Sequence, residues 1–132
     1  MIKMKRAYEP ADNEDGYRVL IDRLWPRGIK KSKLLLDEWA KNLAPSTELR
    51  KSFGHDPDRW KAFRARYLLE LHAKVAREKI QVLAERARRG AVTLVYSAHD
   101  EEHNDAVVLK GVLERAVKKQ TAQDGNGHRK AA

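Results

Sequence analysis

With 132 residues and an apolar fraction of 42%, the chain is long enough for one packed core and too short for two. It has no cysteine, which excludes disulfides, thiolate catalysis and Cys-ligated zinc or iron-sulfur centres. Its 28 Lys plus Arg against 19 Asp plus Glu leave a formal charge of +9, so the expected partner is anionic; no stretch approaches the ~18 apolar residues of a membrane span.

Residues 2 to 8 read as a short strand closed by Glu9-Pro10, its pairing direction left open. Tyr17 to Leu24 forms a second strand, in which Val19, Leu20 and Ile21 run together as in a strand covered on both faces. After Pro26 and Gly28, Ser32 is expected to cap a helix to about Leu43, with Leu35, Leu36 and Trp39 on one side. Pro45-Ser46 opens a short helix capped by Ser46 and ended by Gly54, and Asp56-Pro57 is a further start signal. From there Trp60, Phe63, Tyr67, Leu68 and Leu71 keep a helical core spacing, which continues through Val75, Ile80, Leu83 and Ala87. The apolar phase drifts between His72 and Arg77, so two helices are expected, the second stopped at Gly90 with Arg86, Arg88 and Arg89 in its last turn. Ala91 to Tyr96 is a third strand, Ser97 to Asn104 its loop, and Asp105 to Val117 a last helix begun by His103 or Asn104. Residues 118 to 132 have no apolar spacing and are expected to be a disordered basic tail. The fold class is thus α/β: one domain over residues 1 to 117, with a small, mainly parallel three-stranded sheet flanked by helices.

The run Asp22-Arg23-Leu24-Trp25-Pro26-Arg27-Gly28 leaves a buried strand and brings a carboxylate and two guanidiniums to its carboxyl end, where open α/β sheets bind ligands. If this strand and the third are parallel, Tyr96, Ser97, His99 and His103 emerge at the same edge. Guanidinium forks suit phosphate or carboxylate, and the start of the last helix at Asn104 adds N–H groups. The bland reading is a staple, in which Asp22 pairs with Arg23 or Arg27 over a packed Trp25. Ser46 reads first as a helix cap, with Arg50 one turn further on and able to reach the same anion; His55 beside Asp56 is either a tuned base or a loop hydrogen-bond former.

The segment His99-Asp100-Glu101-Glu102-His103 superficially resembles the HExxH arrangement of zinc proteases, but its second residue is Asp and it lies in a strand-to-helix loop, so no metal and no cofactor are assigned. Between Arg59 and Arg89, cations such as Arg64, Arg66 and Arg77 could follow a phosphate backbone, while Glu70, Glu78 and Glu85 interleave as in a solvated helix face. No sequence-reading nucleic-acid motif is present. Trp39, Trp60 and Tyr67 serve equally as core or as a homodimer face, so oligomeric state stays open.

Four blocks carry a resemblance: Gly16 to Gly28, Ala44 to Arg50, Phe53-Gly54-His55, and Leu94 to Ala98. In their order and gaps, over residues 2 to 117, the chain resembles the YeaO-like family of small bacterial proteins. The resemblance implies membership of a larger group of domains of unknown function and no established activity. Some members carry the label of a uroporphyrinogen-III methyltransferase, yet the chain has no Gly-rich adenosyl loop and too little length for a pocket taking two sizeable ligands. The other branch of the larger group has cysteines near the last strand's loop, where this sequence has Ser97 and Ala98.

The functional expectation is a soluble cytoplasmic protein, without membrane contact, that binds a phosphorylated or carboxylated small molecule at the strand ends, whether or not it acts on it chemically. Anion contacts fall to Arg23, Arg27, Ser46, Arg50 and Asn104. Asp22, His55, Tyr96, Ser97 and His103 are the groups available for chemistry. The alternative is a non-catalytic nucleic-acid-binding accessory protein that uses the basic helical face without sequence preference.

Overall fold

Alternate residues of the buried strands divide the molecule into two unequal cores. The computed structural model describes the backbone of residues 1–131 and the side chains of residues 1–124. Strands β1 (Ile2–Arg6), β2 (Tyr17–Leu20), β3 (Glu38–Trp39) and β4 (Val92–Tyr96) make one sheet in the order β1-β4-β2-β3, all neighbours parallel. Val19, Ile21, Val92, Leu94 and Tyr96 face the main core, built with helices α2 (Thr47–Phe53), α3 (Trp60–Glu70), α4 (Lys74–Arg89) and α5 (Asp105–Ala131). Leu20 and Val95 face the smaller one, closed by Leu34 of α1 (Lys31–Leu34) with Trp25 and Trp39. The apolar runs of β2 and β4 follow from this double cover: Val19, Leu20, Ile21, Leu94 and Val95 are all fully buried.

The first strand, whose direction the sequence left open, runs parallel to β4 with Ile2 opposite Val92 and Arg6 opposite Tyr96. The expected helix from Ser32 to Leu43 is corrected, and with it the three-stranded sheet. Helix α1 begins after Lys30, with no side-chain cap, and stops at Leu35, which takes the left-handed conformation (φ 51°). A buried guanidinium gives the reason. Arg18 donates to the carbonyls of Leu34 and Leu35, capturing the oxygens at the helix end, and to Asp15 at 2.6 Å. The freed chain then pairs with β2: Asp37 N–H donates to Arg18 O, the Asp37 carboxylate accepts from Arg18 N–H, and Ala40 N–H donates to Leu20 O. Trp39 therefore lies on a fourth strand, and Leu35 is exposed.

Other expectations hold in detail. Ser46 Oγ accepts from Leu49 N–H at the start of α2, and Gly54 ends that helix in the left-handed region. The long helical pattern breaks between Glu70 and Lys74, as the drift in phase predicts. The expected disordered tail is corrected over 118–124: the chain stays helical there, with Gln120 donating to Gln81 and Asp124 paired with Arg88. The remainder of that expectation, 125–132, lies outside the residues whose side chains are described. Among the described residues, no helix is long and apolar enough to cross a membrane.

Candidate functional site at the carboxyl ends of the strands

Because β2 and β4 are adjacent and parallel, Asp22 and Ser97, just beyond their ends, come together. One Asp22 carboxylate oxygen accepts both the backbone N–H of Ser97, at 2.8 Å, and the Ser97 hydroxyl. Its backbone carbonyl accepts the Trp39 indole N–H at 2.7 Å. The staple anticipated between Asp22 and an arginine is thus a different one: it runs across the sheet to Ser97.

A second carboxyl, whose place in the sequence marks only a helix start, joins this pair. Asp105, at the first turn of α5, hydrogen-bonds Asp22 and accepts the N–H of Ala106. Burial, the negative charge of Asp22 and the hydrogen bond between the two carboxyls hold Asp105 well above the ordinary carboxylate value. Tyr67 rises from α3 toward the same region. It is fully buried, its hydroxyl donates to Leu43 O, and burial together with the carboxylates of Asp105, Asp22 and Glu70 pushes its ionisation well up. Signals for Asp105 and Tyr67 were weak in the sequence, since a helix-start acid and a core aromatic each have a sufficient local explanation.

The guanidiniums behave differently. Arg23 Nε donates to Pro45 O, tying the end of β2 to the entry of α2. Arg27 is exposed, and its carbonyl accepts the Tyr8 hydroxyl. Arg50 Nε is buried without a hydrogen-bond partner. None of the three forms an ion pair among the described residues. Arg6, at the end of β1, adds a further cation, donating to Ala98 O and approaching His99 Nδ1 at 3.2 Å.

The remaining expected residues are distributed around this centre. Ser46 gives its N–H and hydroxyl to the Glu70 carboxylate, so both its cap and its polar contacts are internal. Asn104 caps α5 through Val107 N–H, donates to Asp100 O and is 2% exposed, leaving only its position to contribute. His103 pairs with Asp100 at 2.9 Å and stands edge-on to Trp60, with ring centroids 5.3 Å apart. Tyr96 is buried at the end of β4, its ionisation raised first by burial and then by Glu101 and Glu9. His55 sits apart, exposed in the left-handed region (φ 57°) with its ring tilted on Phe53; the Asp56 carboxylate serves Asp58 N–H and Arg59 instead. Two clefts are found elsewhere, one at the opposite end of the sheet beside Tyr17 and Arg86, the other between helices, and neither opens at the strand ends.

Comparison with known proteins agrees with the resemblance read in the sequence. A family model described as the inactive DUF488-N3 subclade matches residues 1–130. The uncharacterized protein YeaO of Escherichia coli is 50% identical over 108 residues, covering 82% of this chain and 92% of that protein. The uncharacterized proteins Mb3100c of Mycobacterium bovis and Rv3073c of Mycobacterium tuberculosis are each 38% identical over 112 residues, covering 85% of this chain and 92% of theirs. No solved structure is significantly similar. With nearly its whole length matched, the chain belongs to the inactive DUF488-N3 subclade, as a relative of the YeaO-like proteins.

Proposed function

We propose that this protein binds a small phosphorylated or carboxylated molecule at the carboxyl ends of its strands, and that it acts by binding rather than by catalysis. One observation carries the reading: Arg23, Arg27 and Arg50 have no carboxylate partner among the described residues, even though Asp22 adjoins Arg23 in the chain. Asp22 is engaged instead by Ser97 and Asp105, which leaves the guanidiniums without it as a counter-ion. Guanidiniums without an internal counter-ion favour oxyanions, which they grip in forked pairs.

The non-catalytic part of the reading is supported by the family description, which calls the subclade inactive. It is supported also by the state of the polar groups. Ser97 donates its hydroxyl hydrogen bond to Asp22, His103 faces Asp100, and His55 stands at an exposed corner, so among these residues no nucleophile and base are paired toward an open position. The helical face gains less support as a nucleic-acid surface, because Lys74, Lys79, Arg88 and Arg89 are paired with Glu78, Glu38 and Glu85.

Thermal unfolding with inorganic phosphate, pyrophosphate and citrate tests the proposal, at low and high salt, for the natural chain and the Arg23→Ala/Arg27→Ala double variant. The reading requires a saturable rise in Tm that survives salt and disappears in the double variant. Equal stabilisation of both proteins would overturn it. A salt-labile shift with short DNA or RNA, lost on changing Arg64, Arg66 and Arg77 but indifferent to Arg23, would move the function to the helices.

A further inference from the structure

A groove of about 680 Å³ opens where the end of α3, the first turns of α4 and the middle of α5 meet. It originates in the break between α3 and α4: the chain turns at Leu71 to Ala73, the helices diverge, and α5, which packs along α4, leaves the wedge unfilled. Its floor is apolar, made by Leu68, Leu71, Ile80, Val112 and Ala116. Its mouth is cationic, with Lys74, Arg77, Arg115 and Lys119 around it, and Glu78 is the one acid in the lining. Glu78 is 3.9 Å from Lys74, while Arg77, Arg115 and Lys119 form no ion pair among the described residues. The helical repeat produces this division. On α5, Val112 and Ala116 lie four apart and turn inward, while Arg115 and Lys119 follow one another on the outer edge.

We propose that this groove binds a small amphiphilic anion, an apolar chain or ring carrying one carboxylate or phosphate head. The size lies within the ~300–1,000 Å³ of small-molecule sites, and the floor offers contact area from which water is readily displaced. The uncompensated cations at the mouth select the charge of the head, and the long Lys and Arg stems extend the apolar wall. A nucleic acid fits poorly, because the lining holds no Trp, Tyr or Phe on which a base could stack. The site is separate from the strand ends and uses none of their residues.

Calorimetric titration of the full chain with decanoate, below its micellar concentration, tests the inference, with decanol as the uncharged counterpart. Saturable decanoate binding at one site is expected, with decanol much weaker. The double variant Arg77→Glu/Arg115→Glu changes two exposed side chains and keeps the fold, as its unfolding curve will verify; it should weaken decanoate by about tenfold or more, the equivalent of ~1.4 kcal/mol. Val112→Phe, which fills the half-buried floor, should weaken both ligands, and Arg23→Ala should weaken neither. Absence of decanoate binding, equal binding by decanol, or equal affinity in the charge-reversed variant would each overturn the proposal. So would capture of a Leu/Glu amphipathic helical peptide in place of decanoate, which would make the groove a protein-docking surface.

Discussion

Asp105→Asn removes a titrating proton from the folding equilibrium while keeping the hydrogen bonds of the site. The introduced amide can accept the Ala106 N–H through its oxygen and donate its N–H to Asp22, so both contacts of the carboxyl are kept. In the folded protein the Asp105 carboxyl is held well above its ordinary value of 3.8, by burial and by Asp22. In the unfolded chain it returns to about 3.9. Below that value both states hold the proton and the contribution to stability is complete. As pH rises, the unfolded chain releases a proton that the folded one keeps, so stability is lost at ~1.4 kcal/mol per pH unit until the folded carboxyl ionises in turn. The variant has no such slope. Its stability relative to the natural chain should therefore climb with that slope from about pH 4 upward, until the folded carboxyl ionises. Urea unfolding followed by Trp fluorescence, from about pH 3.5 to about pH 7, reads this difference directly. Two parallel stability curves would refute the raised ionisation of Asp105, because they would mean that this carboxyl ionises in the fold as it does in the unfolded chain.

Two further substitutions test the scaffold around the site. Tyr67→Phe leaves the Leu43 carbonyl without its buried donor and should cost about 1–3 kcal/mol in urea unfolding; a change under roughly 0.5 kcal/mol would mean that the hydroxyl does not anchor that loop. Gly16→Ala should destabilise by about 1–3 kcal/mol, since Gly16 has φ +64° and an added Cβ would lie 2.3 Å from the Ala91 carbonyl, which also accepts Tyr17 N–H. An unchanged Tm would show that the start of β2 can move away from Ala91 at no cost.

What could be read from the sequence follows the range of the forces involved. The runs Val19 to Ile21 and Leu94 to Tyr96 declare buried parallel strands, because burial on both faces demands apolar residues without alternation. Ser46 and Gly54 declare the ends of α2 through chemistry confined to one helical turn. The segment from Ser32 to Leu43 misleads because its helical spacing is real but is overridden by Arg18, whose buried guanidinium takes the helix-end carbonyls from sixteen and seventeen residues away. At the site, the meeting of Asp22 with Ser97 is legible once β2 and β4 are taken as parallel neighbours. The partnership of Asp22 with Asp105 is not legible, since a carboxyl beside a carboxyl is unfavourable unless one keeps its proton, and nothing local announces that. Likewise Asp22 stands next to Arg23 in the chain and does not pair with it: Asp22 is taken by Ser97, and Arg23 Nε by the Pro45 carbonyl.

The proposed anion site is built on guanidiniums that have no ion-pair partner among the described residues, and a ¹⁵N–¹H titration with pyrophosphate addresses them residue by residue. Saturable shifts confined to the amides around Arg23, Arg27, Arg50 and Ser97 are expected. Shifts confined to Arg77 and Arg115 in the helical groove, or no saturable shift anywhere, would contradict that site.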